Sequence, residues 1–171
     1  VDLGFSIRAA GRSATREISA NNVVAKIPGR SDREIVVSAH IDHLGTNGML
    51  PGDGIFNGAI DNGSAVAAML LLAKNLARYR DELEYTIVVL ASQAEEAGLL
   101  GTKRFVSLAE KGEVVANLNF ESTPVWERAK SLMGVGAKFS TFEDLIREVA
   151  AEEGLGTSEF SLVEQGLFYR S

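Results

Sequence analysis

The stretch Tyr85-Thr86-Ile87-Val88-Val89-Leu90-Ala91-Ser92-Gln93-Ala94-Glu95-Glu96-Ala97-Gly98-Leu99-Leu100-Gly101 decides how the chain is read. Tyr85 to Ala91 is largely apolar and rich in β-branched side chains, the pattern of a buried strand. Around Gly98 to Gly101 a helix begins. Between them stand two adjacent acids, Glu95 and Glu96. On its own the pair reads as a solvated turn, with acids where a helix N-terminus favours negative charge. Two carboxylates at the carboxyl end of a buried strand carry a desolvation cost unless cations meet them. In open α/β sheets that end is also where ligands bind. The choice between a turn and a site depends on what the rest of the chain brings to the same edge.

Strands are expected at Val23-Val24-Ala25-Lys26-Ile27, closed by Pro28-Gly29, and at Glu34-Ile35-Val36-Val37-Ser38-Ala39, which delivers His40-Ile41-Asp42-His43. Val114 to Phe120 reads as another strand and delivers Glu121. Shorter strands are expected over 131–137 and at Leu162-Val163, and Phe5, Ile7 and Ala9 alternate with polar residues as an edge strand would. A helix is predicted over about 64–79, with Ser64 as its N-cap. Met69, Leu70, Leu71, Leu72 and Leu76 make it apolar on nearly every side, which predicts burial. A second helix follows over about 99–110, and a third from Thr141 to about Glu153, with Asp144 completing a loose capping box. The stretch from Gly45 to Gly58 is too glycine-rich for regular structure and suits a functional loop. Strands alternating with helices give an α/β fold with helices on both faces of a mixed, largely parallel central sheet.

The composition narrows the partners. A net charge of −6 opposes binding to nucleic acid or an anionic membrane surface. No apolar run is long enough to span a bilayer. Cysteine is absent, so disulfides and thiolate metal sites are excluded. With two histidines, His40 and His43, any metal site has to be rich in carboxylates, which suits a hard or borderline divalent ion. The chain begins at Val1 without Met or a signal-like segment, as a mature or excised piece would.

His40, Asp61, Glu96 and Glu121 share one kind of address: each follows a strand or directly precedes the first helix. In a mainly parallel sheet these positions line one edge, where the side chains can converge. Singly, each has a plainer reading: a satisfied core histidine, a turn residue beside Asn62-Gly63, a strand-end acid. His43 reads first as a structural histidine and second as a pocket-lining residue.

Three ordered runs, Ala39-His-Ile-Asp-His-Leu-Gly45, Asn57-Gly-Ala-Ile-Asp-Asn-Gly-Ser64 and Ala94-Glu-Glu-Ala-Gly-Leu-Leu-Gly101, closely resemble metallopeptidase family 28, which contains co-catalytic di-zinc aminopeptidases and glutamate carboxypeptidases. The likeness covers roughly residues 21–171. It implies a three-layer αβα zinc-exopeptidase-like fold and two zinc ions. His40 and Glu121 would bind the first ion, Glu96 the second, and Asp61 both. Asp42 would orient the His40 ring, and Glu95 would be the general base acting on the bridging water. The implied reaction is hydrolysis of N-terminal residues from a peptide or small aminoacyl substrate. The implied setting is secreted or periplasmic.

Three departures qualify the likeness. Glu121 stands where the family usually has Asp, so a shifted geometry is expected. Ala65 stands where Gly is common, and its methyl could crowd the site. Gly166-Leu-Phe-Tyr-Arg-Ser171 resembles a family segment that continues into an Asp-His pair. Residues 1–171 therefore read as a single peptidase-like domain lacking its last strand and helix and the second zinc's histidine, for which His43 is the only substitute. Weak or absent turnover by this chain, and self-association through an open sheet edge, are expected consequences. Two other readings stay open: a non-catalytic binding or scaffold domain of the same fold, and a glutaminyl-cyclase-like aminoacyltransferase, against which the His40-x-Asp42 pair weighs.

Overall fold

Alternation along two strands builds the centre of the molecule. The computed structural model describes residues 4, 8, 10–14, 16–110, 113–123 and 126–158. Strands β1 (Val23–Ile27), β2 (Ser31–His40), β3 (Tyr85–Ser92) and β4 (Val114–Asn119) form one sheet in the order β1-β3-β2-β4. β2 runs parallel to both β3 and β4, while β1 pairs antiparallel with β3. Side chains alternate across a strand, so each central strand feeds two cores. Val37, Ala39, Ile87 and Val89 pack on Ala65 and Met69 of helix α1 (Ala65–Leu76). Val36, Val88 and Leu90 pack with Phe105 of helix α2 (Leu100–Leu108). The sheet is therefore covered by helices on both faces, as the sequence predicts.

Register places the chemistry. Val37 pairs with Val89 and with Leu118, and His40 pairs with Ser92. Because β2, β3 and β4 run in one direction, His40 and the residues that follow Ser92 and Asn119 emerge at the same edge. A second, two-stranded sheet, β5 (Ser131–Leu132) with β6 (Gly156–Thr157), lies beside helix α3 (Phe142–Glu152).

Several local expectations are corrected. The helix foreseen over 64–79 is three pieces: a π-helical turn Ala59–Ser64, α1, and a 3-10 turn Ala77–Glu82. Ser64 is itself helical and its hydroxyl donates to the Ile60 carbonyl at 2.7 Å, so it is no N-cap. α1 is not buried all round: Leu70 and Leu71 are exposed among the described residues. A helix laid on one face of a sheet buries a stripe, here through Ala65 and Met69. The Ala65 methyl belongs to that core and does not crowd the strand-end edge. The strand foreseen over 131–137 shrinks to two residues, followed by a 3-10 turn Ala137–Phe139. Thr141 precedes α3 without a side-chain cap; the Ser140 hydroxyl accepts the Phe142 N–H at 3.2 Å instead. The strands expected at Phe5, Ile7 and Ala9 and at Leu162-Val163 lie outside the described residues.

Candidate functional site

His40 closes β2 with its side chain 3% exposed. Its Nδ1 donates to the Asp42 main-chain carbonyl at 3.0 Å, which fixes the ring and leaves Nε2 to face the acids. Nε2 lies 3.2 Å from Asp61 Oδ1, 3.4 Å from Glu121 Oε1 and 4.0 Å from Glu95 Oε2. Burial pushes the His40 pKa down, but Glu121, the Asp42 carbonyl, Glu95 and Asp61 together hold it above its ordinary value.

The Asp42 carboxylate does different work from ring orientation. It stands 3.7 Å from His40 Nδ1, and instead its two oxygens accept the Glu95 N–H at 3.0 Å and the Glu96 N–H at 3.2 Å. Asp42 thus anchors the turn that carries both glutamates. Left-handed backbone at Ala94 (φ 57°) and Leu99 (φ 62°) brackets that turn, at a cost on the order of 1 kcal/mol for each non-glycine residue. Asn22 staples its base: its Oδ1 accepts the Gln93 N–H at 3.0 Å and its Nδ2 donates to the Gly101 carbonyl at 2.8 Å. Gly101 permits this, since a Cβ there would lie 2.3 Å from Asn22 Oδ1 and from the Gln93 carbonyl oxygen.

Asp61 projects from the π-helical turn between the two imidazoles. Its Oδ1 faces His40 and its Oδ2 lies 3.9 Å from His43 Nδ1. His43 Nδ1 is also 2.8 Å from Glu96 Oε1. Buried Asn62, 3% exposed, holds the Glu121 backbone from both sides. Its Nδ2 donates to the Phe120 carbonyl at 3.2 Å, and its Oδ1 accepts the Ser122 N–H at 3.2 Å. The longer Glu121 side chain still reaches His40. Burial and the carboxylates of Asp61 and Glu95 raise its pKa against the opposing pull of His40. Glu95 is raised in the same way, first by burial and then by Glu96, Asp42 and Asp61, against His40.

Two groups of three donors result: His40, Asp61 and Glu121, and His43, Asp61 and Glu96, each with donor atoms within 4.8 Å of one another. Donors around a tetrahedral zinc stand about 3.3 Å apart, close to the 3.2 and 3.4 Å separations at His40. Among the described residues, every ion pair made by Asp42, Asp61, Glu95, Glu96 and Glu121 is with an imidazole and none with Lys or Arg. Five carboxylates beside two imidazoles leave an excess of negative charge, which a divalent cation would meet. The donor set fits zinc.

All the sequence candidates lie at this edge. His40, Asp61, Glu96 and Glu121 supply donors, Glu95 sits beside them in neither group, and Asp42 lies behind the glutamates. Asn62 was not foreseen as a site residue, because after Asp61 and before Gly63 it reads as a turn former. His43 reads from sequence first as structural, second as pocket-lining, and as the only substitute for the second zinc's histidine; the structure sets it against Glu96, far away in the chain.

Residues 22–171 match the model of Peptidase family M28. The chain is 36% identical over 95 residues to Leucine aminopeptidase 1 of Pyrenophora tritici-repentis, covering 53% of this chain and 24% of that protein. It is 32% identical over 111 residues to Leucine aminopeptidase 1 of Arthroderma gypseum, covering 62% of this chain and 29% of that protein. The chain thus spans about a quarter of the length of such relatives. A leucine aminopeptidase precursor from Bacteroides thetaiotaomicron shares the fold at TM-score 0.64 and 17% identity, over 82% of this chain and 57% of that one. A Peptidase M28 precursor from Shewanella amazonensis superposes at TM-score 0.58 and 25% identity, over 82% of this chain and 31% of that one.

Proposed function

The chain belongs to peptidase family M28, whose model covers residues 22–171, and from that premise we propose that its strand-end edge is a paired-zinc site for removing N-terminal residues from peptides. The observation that carries the proposal is Asp61: its two oxygens face different imidazoles, and both three-donor groups share it. A carboxylate so placed is what two neighbouring cations require. In this reading His40, Asp61 and Glu121 hold one zinc, and Asp61 and Glu96 hold the other. When bound, the pair supplies a water of lowered pKa and a polarised scissile carbonyl.

The protein's own part is positioning and proton transfer. The Asp42 carbonyl holds the His40 ring so that Nε2 faces inward. The Asp42 carboxylate and Asn22 fix the turn from which Glu95 reaches toward His40. Glu95 belongs to neither donor group, so its carboxylate is free to accept the proton of the attacking water and return it to the leaving amine nitrogen.

Relatives named leucine aminopeptidase support an aminopeptidase with an apolar first residue, and relatives named as precursors support export. No helix among the described residues is long and apolar enough to cross a membrane. The test is hydrolysis of leucyl-p-nitroanilide, with N-acetyl-leucyl-p-nitroanilide as control, by zinc-loaded protein. Release from the free amine alone supports an aminopeptidase. Equal release from both overturns the exopeptidase reading.

A further inference from the structure

We infer that His43 is a ligand of the second cation, closing with Asp61 and Glu96 a three-donor set for zinc or a similar borderline divalent ion. The inference rests on the paired-zinc reading and adds a donor to it. One short run, His40 to His43, then delivers an imidazole to each cation.

Among the described residues, no Lys or Arg pairs with the acids at this position. Among the described residues, Glu96 pairs only with His43, and Asp61 only with His40 and His43. The separations from His43 Nδ1, 2.8 Å to Glu96 Oε1 and 3.9 Å to Asp61 Oδ2, bracket the spacing of about 3.3 Å between ligand atoms around one tetrahedral zinc.

Two features independent of the acids place the ring. Phe56 meets it edge-on, with ring centroids 6.3 Å apart and planes at 77°. Gly58, at φ +63°, leaves the space the imidazole fills: a Cβ there would stand 3.1 Å from His43 Cβ and 3.2 Å from His43 Cγ. The glycine-rich loop therefore seats this histidine against Glu96.

The two rings present opposite nitrogens. His40 keeps its proton on Nδ1, donated to the Asp42 carbonyl, and offers Nε2. In the metal-free chain His43 Nδ1 has to carry a proton to meet Glu96 Oε1 at 2.8 Å. On coordination the neutral ring would change tautomer: the proton leaves Nδ1 and one is taken up on Nε2 through solvent, so that the Nδ1 lone pair is offered to the cation. The bound chain would thus hold one histidine of each tautomer.

The chain has two histidines, so ¹⁵N-histidine labelling reports both without crowding. Zinc is titrated into the labelled chain and into its His43→Gln and His40→Gln variants. The expected result is metal-bound Nδ1 with protonated Nε2 at His43, and the reverse at His40. In His43→Gln the second zinc equivalent weakens by more than the roughly 10–100-fold that loss of an outer partner costs, while the His40 shift survives as proof that the first position is assembled. If His43 keeps its Nδ1 proton with two zincs bound, or if His43→Gln binds both as tightly as the parent, the inference falls and the paired-zinc reading stands. If neither ring responds to zinc, both fall. Should His43→Gln not fold, the spectra of the parent chain decide alone.

Discussion

The two ends of the central sheet treat charge in opposite ways. Where the parallel strands begin, two of the acids, Glu34 and Glu84, have a cation each. Lys26 Nζ meets Glu34, which is 8% exposed, and the Arg30 guanidinium donates to Glu84 Oε2 at 2.9 and 3.1 Å. The hydrogen bond to Glu34 raises the Lys26 pKa against a smaller lowering by burial. Where the same strands end, five carboxylates face two imidazoles and pair with no Lys or Arg among the described residues. The first end is balanced from within and holds the fold. The second, among the described residues, is left short of positive charge, and three of its groups have pKa values raised above their ordinary ones. Burial of an acid is thus no mark of function; Glu34 is more buried than Glu95. The mark is the convergence of several carboxylates on two imidazoles with no Lys or Arg pairing them among the described residues.

The largest effect separating the ends should come from Glu95→Gln. Turnover should fall about a hundredfold to ten-thousandfold with zinc content unchanged. Near-parent turnover would remove Glu95 from its role. Next, Glu96→Gln should weaken the second zinc equivalent by at least about tenfold in calorimetric titration, leaving the first intact. Equal weakening of both equivalents would mean that the two groups are one site.

Asn62→Ala should leave the Phe120 carbonyl and the Ser122 amide without partners, destabilising the fold by about 1–3 kcal/mol and lowering the affinity of the first zinc through Glu121. Urea denaturation gives the first quantity and titration the second; unchanged values would deny that Asn62 positions Glu121.

A smaller effect is expected in the metal-free chain as pH changes. Glu95, Glu121 and His40 all have folded-state pKa values raised above the ordinary 4.5, 4.5 and 6.5. A raised group binds more protons folded than unfolded, so its contribution is full below the ordinary value and is lost as pH rises through the folded one. Metal-free melting temperature should therefore fall between acid and neutral pH. Zinc should reverse that trend, because its ligands must be deprotonated. A metal-free melting temperature that climbs over this range would contradict the charge imbalance. The smallest effect on zinc is expected from Lys26→Met, which leaves the buried Glu34 carboxylate without its partner at a cost of about 1–3 kcal/mol but should leave zinc binding untouched. A change in zinc affinity there would break the distinction between the ends.

Much of this was legible in the sequence, for identifiable reasons. The β-branched runs at Ile35-Val36-Val37 and Ile87-Val88-Val89 carry burial in side-chain type alone, so the central strands and the mixed sheet could be read. The addresses of His40, Asp61, Glu96 and Glu121 followed from strand ends in a parallel sheet. What was not legible depends on backbone turns and long-range contacts. Ser64 looks like a cap, but the π-helical turn Ala59–Ser64 absorbs it. Leu70 and Leu71 look like core, yet α1 meets a sheet on one side only. Asp42 two residues after His40 suggested a partner for the ring, whereas its oxygens are taken by amides that lie more than fifty residues away. Asn62 and His43 have plain local readings and acquire their roles from Glu121 and Glu96, which sequence spacing alone does not bring near.

Zinc is expected at the sheet end where, among the described residues, no lysine or arginine pairs with the acids. Crystals of the zinc-loaded chain, recorded on both sides of the zinc absorption edge, test it directly. The account predicts two anomalous peaks roughly 3.5–4 Å apart, sharing Asp61, one beside His40 and Glu121 and the other beside Glu96. A zinc-saturated crystal with no peak at this edge, or with its zinc bound elsewhere on the surface, would contradict it.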